Sequence, residues 1–324
     1  MKTFYWLVKR EFWETKGGFF WAPVVTGIVF LVLNGMGLVL GEVFGRRENP
    51  HWWGGLRFGG DAQLQAHMRP EDLQQVAAGV DIMFYAVAGV ILCVTAIVIF
   101  FYCLGALYDD RRDRSILFWK SLPLSDTSTV LSKVASALLL APAIAVVVGV
   151  IVALVLGILI AIVAAIHGVG VWSLLMASHP IRVVINMILL IPLYAIWALP
   201  TVGWLLLCSA WARGKPFLWA IALPVGAGVI VSWFGLMGIA GLSSNWFWKN
   251  VVGRLLGSLM PGGWIGNTSS LAGLDDDNPA SLVKGMDLAY HYSALASPAL
   301  WIGALAGAAM IAGAIWFRRW RDDT

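Results

Sequence analysis

The sequence predicts an all-α polytopic membrane protein with six transmembrane helices. Three observations predict it. Of 324 residues, 60% are hydrophobic and only 12% are charged, where a soluble domain carries about 25% charged residues. Mean hydropathy is +0.80. The apolar residues also fall in unbroken runs instead of alternating with polar ones. This composition excludes a disordered chain, a nucleic-acid-binding basic protein and an ordinary soluble enzyme.

Crossing about 30 Å of hydrocarbon takes about 20 apolar residues. Six runs qualify: about 21–41, 83–107, 134–166, 184–210, 217–240 and 298–316. The third is longer than a bilayer requires, so it must tilt or protrude. Pro142, Pro192, Pro200 and Pro224 lie in or near these runs, where neighbouring helices can satisfy the carbonyls a proline frees. The whole chain, 1–324, reads as one transmembrane domain.

Six spans put both termini on one side, and the basic residues choose the side. Fourteen of the 22 Lys/Arg lie in segments 1–20, 108–133, 211–216 and 317–324, which total 60 residues; eight lie in the remaining 115 connecting residues. The positive-inside rule therefore predicts both termini and the Arg213 loop on the cytoplasmic side, with Asn267 outside. The pair Arg46-Arg47 runs against that total. The basic excess is a topology signal, not a nucleic-acid patch. The N-terminus has no short apolar stretch followed by a small-residue cleavage site, so no cleaved signal peptide is expected.

Each connecting segment has its own character. Within 1–20, Phe4, Tyr5, Val8 and Phe12 share a helical stripe while Lys2, Lys9, Arg10 and Lys16 lie elsewhere. That pattern predicts a helix lying in the membrane interface. Pro70 followed by Glu71 and Asp72 predicts a helix start before the second span. In the outer segment 241–297, Phe247, Val251, Leu255 and Leu259 recur at helical spacing, with Lys249 and Arg254 off the stripe. A second interfacial or re-entrant helix is expected there.

Catalytic signals are missing. The spans hold essentially no ionisable side chain between their ends; Asp81, His167 and Arg182 sit at margins, and Asn34 and Asn186 are the interior polar groups. Ion-coupled carriers need such groups. No P-loop, H-E-x-x-H, G-x-S-x-G or zinc-spaced cysteine pair is present. Cys93, Cys103 and Cys208 lie in apolar runs, and His51, His67, His179 and His291 are scattered singly. Asp275-Asp276-Asp277-Asn278 reads as a solvated turn before Pro279 rather than a Ca²⁺ site. No catalytic, cofactor-binding or metal-binding residue is expected. Gly37, Gly41 and Gly45 repeat every four residues, as do Gly303 and Gly307; such spacing lets helix backbones approach closely in lipid. The first ladder is a candidate interface between two copies of the chain.

The informative segment is Tyr108–Lys133, YDDRRDRSILFWKSLPLSDTSTVLSK. It is the most charged stretch, yet Ile116, Leu117, Phe118 and Trp119 form an apolar run at its centre. Pro123 stops one helix and Ser125 caps the next. A short helix held between two spans, with an apolar patch rimmed by arginines, predicts a docking element for a partner protein.

This segment resembles the permeases of ABC-2 type transporters, whose second and third spans are joined by an R-E-x-G-T-L-E-x-L-L-S-L-P-V-S-type motif. The match is specific around Ser121–Ser125; the family's Gly-Thr pair falls where this chain has Arg114-Ser115. The resemblance extends in layout over the whole chain. It implies a permease subunit in the cytoplasmic (inner) membrane that exports cargo and has no ATPase of its own. ATP and Mg would be bound by a separate ABC ATPase subunit, two permeases pairing with two ATPases. It implies that region 108–125 is the coupling helix. Ile116, Leu117, Phe118 and Trp119, with Leu122 and Pro123, would make the contact; Arg111, Arg112, Asp113 and Arg114 would form its rim. A small amphiphile, lipid or peptide suits the apolar spans as cargo. The competing expectations are a membrane-embedded enzyme or assembly factor acting through outer loops 42–82 and 241–297, and a secondary transporter.

Overall fold

The computed structural model describes residues 2–45, 70–113, 125–166, 178–238, 243–265 and 287–320. These residues are about 90% helical and contain no strand. Among the described residues, six helices are long and apolar enough to cross a membrane, which makes this a multi-pass membrane protein. In chain order the helices are α1 (Lys2–Glu14), α2 (Ala22–Gly45), α3 (Pro70–Gly105), α4 (Tyr108–Arg112), α5 (Asp126–Ala135) and α6 (Ala141–Ile166). They are followed by α7 (Pro180–Trp211), α8 (Pro216–Leu236), α9 (Ser244–Phe247), α10 (Gly253–Gly257), α11 (Leu288–Tyr292) and α12 (Pro298–Trp320). Wide π-turns at Gly17–Trp21, Ser136–Leu140 and Trp248–Val252 join α1 to α2, α5 to α6 and α9 to α10.

Helix starts follow local chemistry. Proline opens α3, α7, α8 and α12, where its missing N–H costs nothing and its fixed φ fits the first turn. Ser125 caps α5, its side chain accepting from the Ser128 N–H at 3.2 Å. Between α7 and α8, Lys215 takes the left-handed conformation at φ 48°, which lets the chain reverse within four residues.

Helix α7 is the axis of the bundle. Its second half is buried on nearly every side, from Leu193 and Trp197 through Val202, Leu205 and Leu206 to Ala210. Its most extensive partner is α12, which turns one stripe inward: Leu300, Ala304, Gly307, Ile311, Ala314 and Arg318. Spacings alternating between four and three residues keep those side chains on one face. Ala88 on α3 meets Gly149 on α6, where an added Cβ would lie 3.1 Å from the Ala88 Cα. Small residues let backbones approach in lipid, where no water drives association. Helix α2 is the least enclosed span, with Val25, Val29, Val32 and Met36 exposed; Gly27, where it meets Val152 and Ile91, carries its contact with α6 and α3.

The α1 helix docks on the bundle by a face other than the Phe4, Tyr5, Val8 and Phe12 stripe, which the sequence assigns to the membrane interface. Leu7 and Glu11 are buried, while Phe4, Tyr5, Trp6 and Trp13 face outward. The reason is electrostatic: Glu11 finds partners inside the bundle, and that fixes the rotation of the helix.

Candidate functional site

At the end of the bundle that carries α1 and the last turn of α12, six charged side chains form an alternating chain. Arg10 Nη2 donates to Glu11 Oε1 at 2.7 Å. Lys133 Nζ lies 3.2 Å from Glu11 Oε1 and 3.6 Å from Asp110 Oδ2. Arg318 then pairs with Asp110 and with Asp126, each at 3.1 Å. Tyr102 adds a neutral donor, its hydroxyl 2.9 Å from Glu11 Oε2. Arg10 also pairs with Glu14 at 3.2 Å, at the exposed end of the chain, and Glu11, Lys133 and Arg318 are almost fully buried. A buried charge is tolerable only when paired and hydrogen-bonded, and each of these is.

The chain draws together α1, α4, α5 and α12, and the α4 turn also holds α7. Arg111 Nη2 donates to the carbonyls of Ser209 (2.6 Å) and Ala212 (3.0 Å). In return, Ser209 Oγ accepts from the backbone N–H groups of Leu107 and Tyr108, at 3.0 and 2.9 Å. These are the donors that a helix start leaves without an intrahelical partner, so α7 caps α4 from the side. Five residues thus touch the ends of three other spans.

Beside this network, Glu11, Glu14, Phe101, Tyr102, Asp109 and Lys133 line an open cavity of about 380 Å³. Burial lifts the Glu14 carboxyl above its ordinary range, and the nearby Arg10 opposes that shift.

Of the residues singled out from sequence, Arg111 is an internal anchor, whereas Arg112 and Asp113 are exposed. Arg114, Ile116, Leu117, Phe118, Trp119, Leu122 and Pro123 lie outside the described residues. So do His51, His67 and Asp275–Asn278. Gly37, Gly41 and Gly45 lie on α2, with Gly37 half-buried. Gly303 and Gly307 face α7 within the same chain. Asn34 folds back on the Phe30 carbonyl (2.8 Å), and Asn186 Nδ2 donates to the Tyr85 hydroxyl (3.3 Å). Among the described residues no group of three or more His, Cys, Asp or Glu is placed to hold a metal.

Sequence reasoning missed Glu11, Tyr102, Asp110, Lys133 and Arg318 as one constellation. A signal existed for two of them. Lys133 sits at the foot of an apolar run and Arg318 continues the i, i+3/i+4 stripe of α12, so both were bound to face inward.

The opposite end holds a second polar contact. Trp264 Nε1 donates to His291 Nδ1 at 3.0 Å, with both residues buried. Burial pulls the imidazole pKa below 6.5, while Asp287 pushes it up. The fold therefore favours neutral imidazole. Its stabilising contribution is fully present above about pH 6.5 and is lost as pH falls through the folded-state pKa. Thermal unfolding measured from about pH 7.5 to 5 should show this loss in the native chain. His291→Gln should flatten that part of the profile; an equal slope in both proteins would refute the assignment.

Comparison of the chain with protein-family models, with curated proteins and with solved structures returns no match.

Proposed function

We propose that this chain is the permease subunit of an ATP-binding-cassette exporter, forming the translocation path and driven by a separate ATPase subunit. The observation that carries this reading is the α4 turn, which opens the 108–125 region. Through Asp110 and Arg111 it is hitched to α5, α7 and α12 at once. A displacement imposed on the region by a partner would reach those spans through ion pairs, not through a slack loop. ATP binding on the partner then favours one arrangement of the bundle over another, and the shift is set by differential affinity for the two arrangements.

In this reading both termini, α1 and α4 lie on the cytoplasmic side. Helix α1 rests in the interface with Trp6 and Trp13 outward, each under a lysine: Lys9 Nζ is 4.8 Å from the Trp6 ring and Lys16 Nζ 5.1 Å from the Trp13 ring. Aromatic and basic residues suit the headgroup layer. Two copies pair through the α2 face bearing Gly37, Gly41 and Gly45. ATP and Mg belong to the partner.

The test is Phe118→Ala with Trp119→Ala. Buried aromatic anchors at an interface often cost about 2 kcal/mol or more on truncation. The double variant should insert normally yet lose co-purification of the ATPase and any cargo-stimulated ATP hydrolysis. The mass of the native complex reports at the same time whether two permeases are present. Retained ATPase binding and stimulation in the variant would sink the coupling assignment.

A further inference from the structure

The segment α9–α10 does not stay at the outer edge of the bundle. It folds down beside α7 and α12, where Thr201 Oγ1 donates to the Arg254 carbonyl (2.9 Å) and accepts from the Ser258 N–H (3.1 Å). Arg254 lodges against Pro200 and Gly303. At about 1.5 Å per residue, Gly303 lies about 8 Å inside the start of α12, and Pro200 about 17 Å from the end of α7. The guanidinium thus sits at the level of the apolar spans, which by their own sequence carry no cation there.

Arg254, which lies off the 247/251/255/259 stripe, is buried together with Ser258, four residues on and therefore on the same face of the helix.

Among the described residues no partner awaits the charge. Arg254 is 9% exposed, its Cζ is 3.6 Å from the Trp197 ring centroid, and neither Nη1 nor Nη2 has a hydrogen-bond partner. Stacking on an indole satisfies the face of a guanidinium; its N–H groups point along the edge and stay unmet. Trp197 is also buried, and its Nε1 is likewise without a partner. The nearby hydroxyls are engaged: Ser258 Oγ, like Thr201 Oγ1, donates to the Arg254 carbonyl. Arg and Trp side chains are donors only. Two unpartnered donor side chains converge here, and no described acceptor answers them. An intramembrane ionisable group of this kind marks a path for substrate or ion.

We infer that Arg254 and Trp197 form the receptor for an oxyanion headgroup, phosphate-like in chemistry, carried on an amphiphile that moves through the bundle. This rests on the transport reading above and names its cargo class. The surroundings favour an amphiphile over a free anion: Trp197 meets the Trp264 ring edge-on at 6.4 Å, and both belong with Leu259 and Leu300 to one buried apolar core. Gly303 is part of the design, since a Cβ there would run into the guanidinium.

The full chain in dodecyl maltoside, without any ATPase, is titrated with dodecyl phosphate, dodecanol and inorganic phosphate in turn. A saturable rise in thermal unfolding midpoint reads binding. Dodecyl phosphate should bind and dodecanol should not. Arg254→Gln should weaken dodecyl phosphate by roughly tenfold or more, and Trp197→Phe, which keeps an aromatic face and removes the N–H, by a few-fold. Arg254-dependent binding of inorganic phosphate alone would keep the oxyanion receptor and assign it a soluble anion. Equal responses to dodecyl phosphate and dodecanol, or native affinity in Arg254→Gln, overturn the proposal. Should Arg254→Gln not yield a monodisperse protein, Arg254→Lys and Trp197→Phe replace it, and native affinity in both overturns it equally. ATPase co-purification is measured separately, so either reading can fail alone.

Discussion

Lys133→Met should destabilise the protein more than any other single charge removal at the base of the bundle. The ammonium bridges Glu11 and Asp110, at 3.2 and 3.6 Å, and it is 3% exposed. Breaking a buried pair from one side costs about 3–5 kcal/mol, because the remaining charge keeps its desolvation penalty. Here the loss should fall near about 3 kcal/mol, since Glu11 retains Arg10 and Tyr102, and Asp110 retains Arg318. Adding Glu11→Gln removes the stranded charge and should return most of that loss. Denaturant titration of the native chain, both singles and the double forms a cycle that isolates the pair. Additive effects would mean that the two residues do not act together. If the network transmits movement as proposed, the double variant should be stable yet transport poorly, because α1 and α5 no longer move as one body.

How much of this was legible in the sequence depends on what kind of force sets each feature. The six spans were legible because a hydrocarbon layer imposes a length and an apolar composition that no other environment requires. The Ser125 cap and the Pro70 start were legible because each rests on the chemistry of a single residue. The docking of α1 was not. Its periodicity put Phe4, Tyr5, Val8 and Phe12 on one face, for the membrane interface, but gave no sign that Glu11 on another face meets Lys133, 122 residues away. No local pattern carries such a pairing. Arg254 escaped for a different reason: it is buried against Trp197, Pro200 and Gly303 on two other helices, and no pattern local to 247–259 carries those contacts. The role of Gly307 was half visible. Its spacing from Gly303 announced a close helix approach, but not which helix approaches.

That approach carries the second large effect. An added Cβ on Gly307 would lie 2.6 Å from the Leu199 carbonyl carbon and oxygen and 2.8 Å from the Pro200 nitrogen. On the other side of the crossing, a Cβ on Gly203 would lie 2.5 Å from the Gly307 oxygen. These neighbours are backbone, so no side-chain rotation relieves the clash, and α7 and α12 must move apart. In lipid their association rests on packing, not on water exclusion, and separation weakens contacts all along the inward stripe of α12. Gly307→Ala should therefore cost about 1–3 kcal/mol, the range for overpacking a close-packed interior. Gly307→Leu should leave the chain inserted but unable to close the bundle. Gly35→Ala is the control, because nothing lies within 4 Å of its added Cβ; there the better helix propensity of alanine should give a neutral or slightly stabilised protein. The separation should also reach the base, since Arg318 ends the same stripe and holds Asp110 and Asp126. Gly307→Ala should accordingly lower the stability lost on Lys133→Met, because part of the ion-pair chain has already loosened. Full additivity of Gly307→Ala and Lys133→Met would show instead that the α7–α12 crossing and the charged base are mechanically independent.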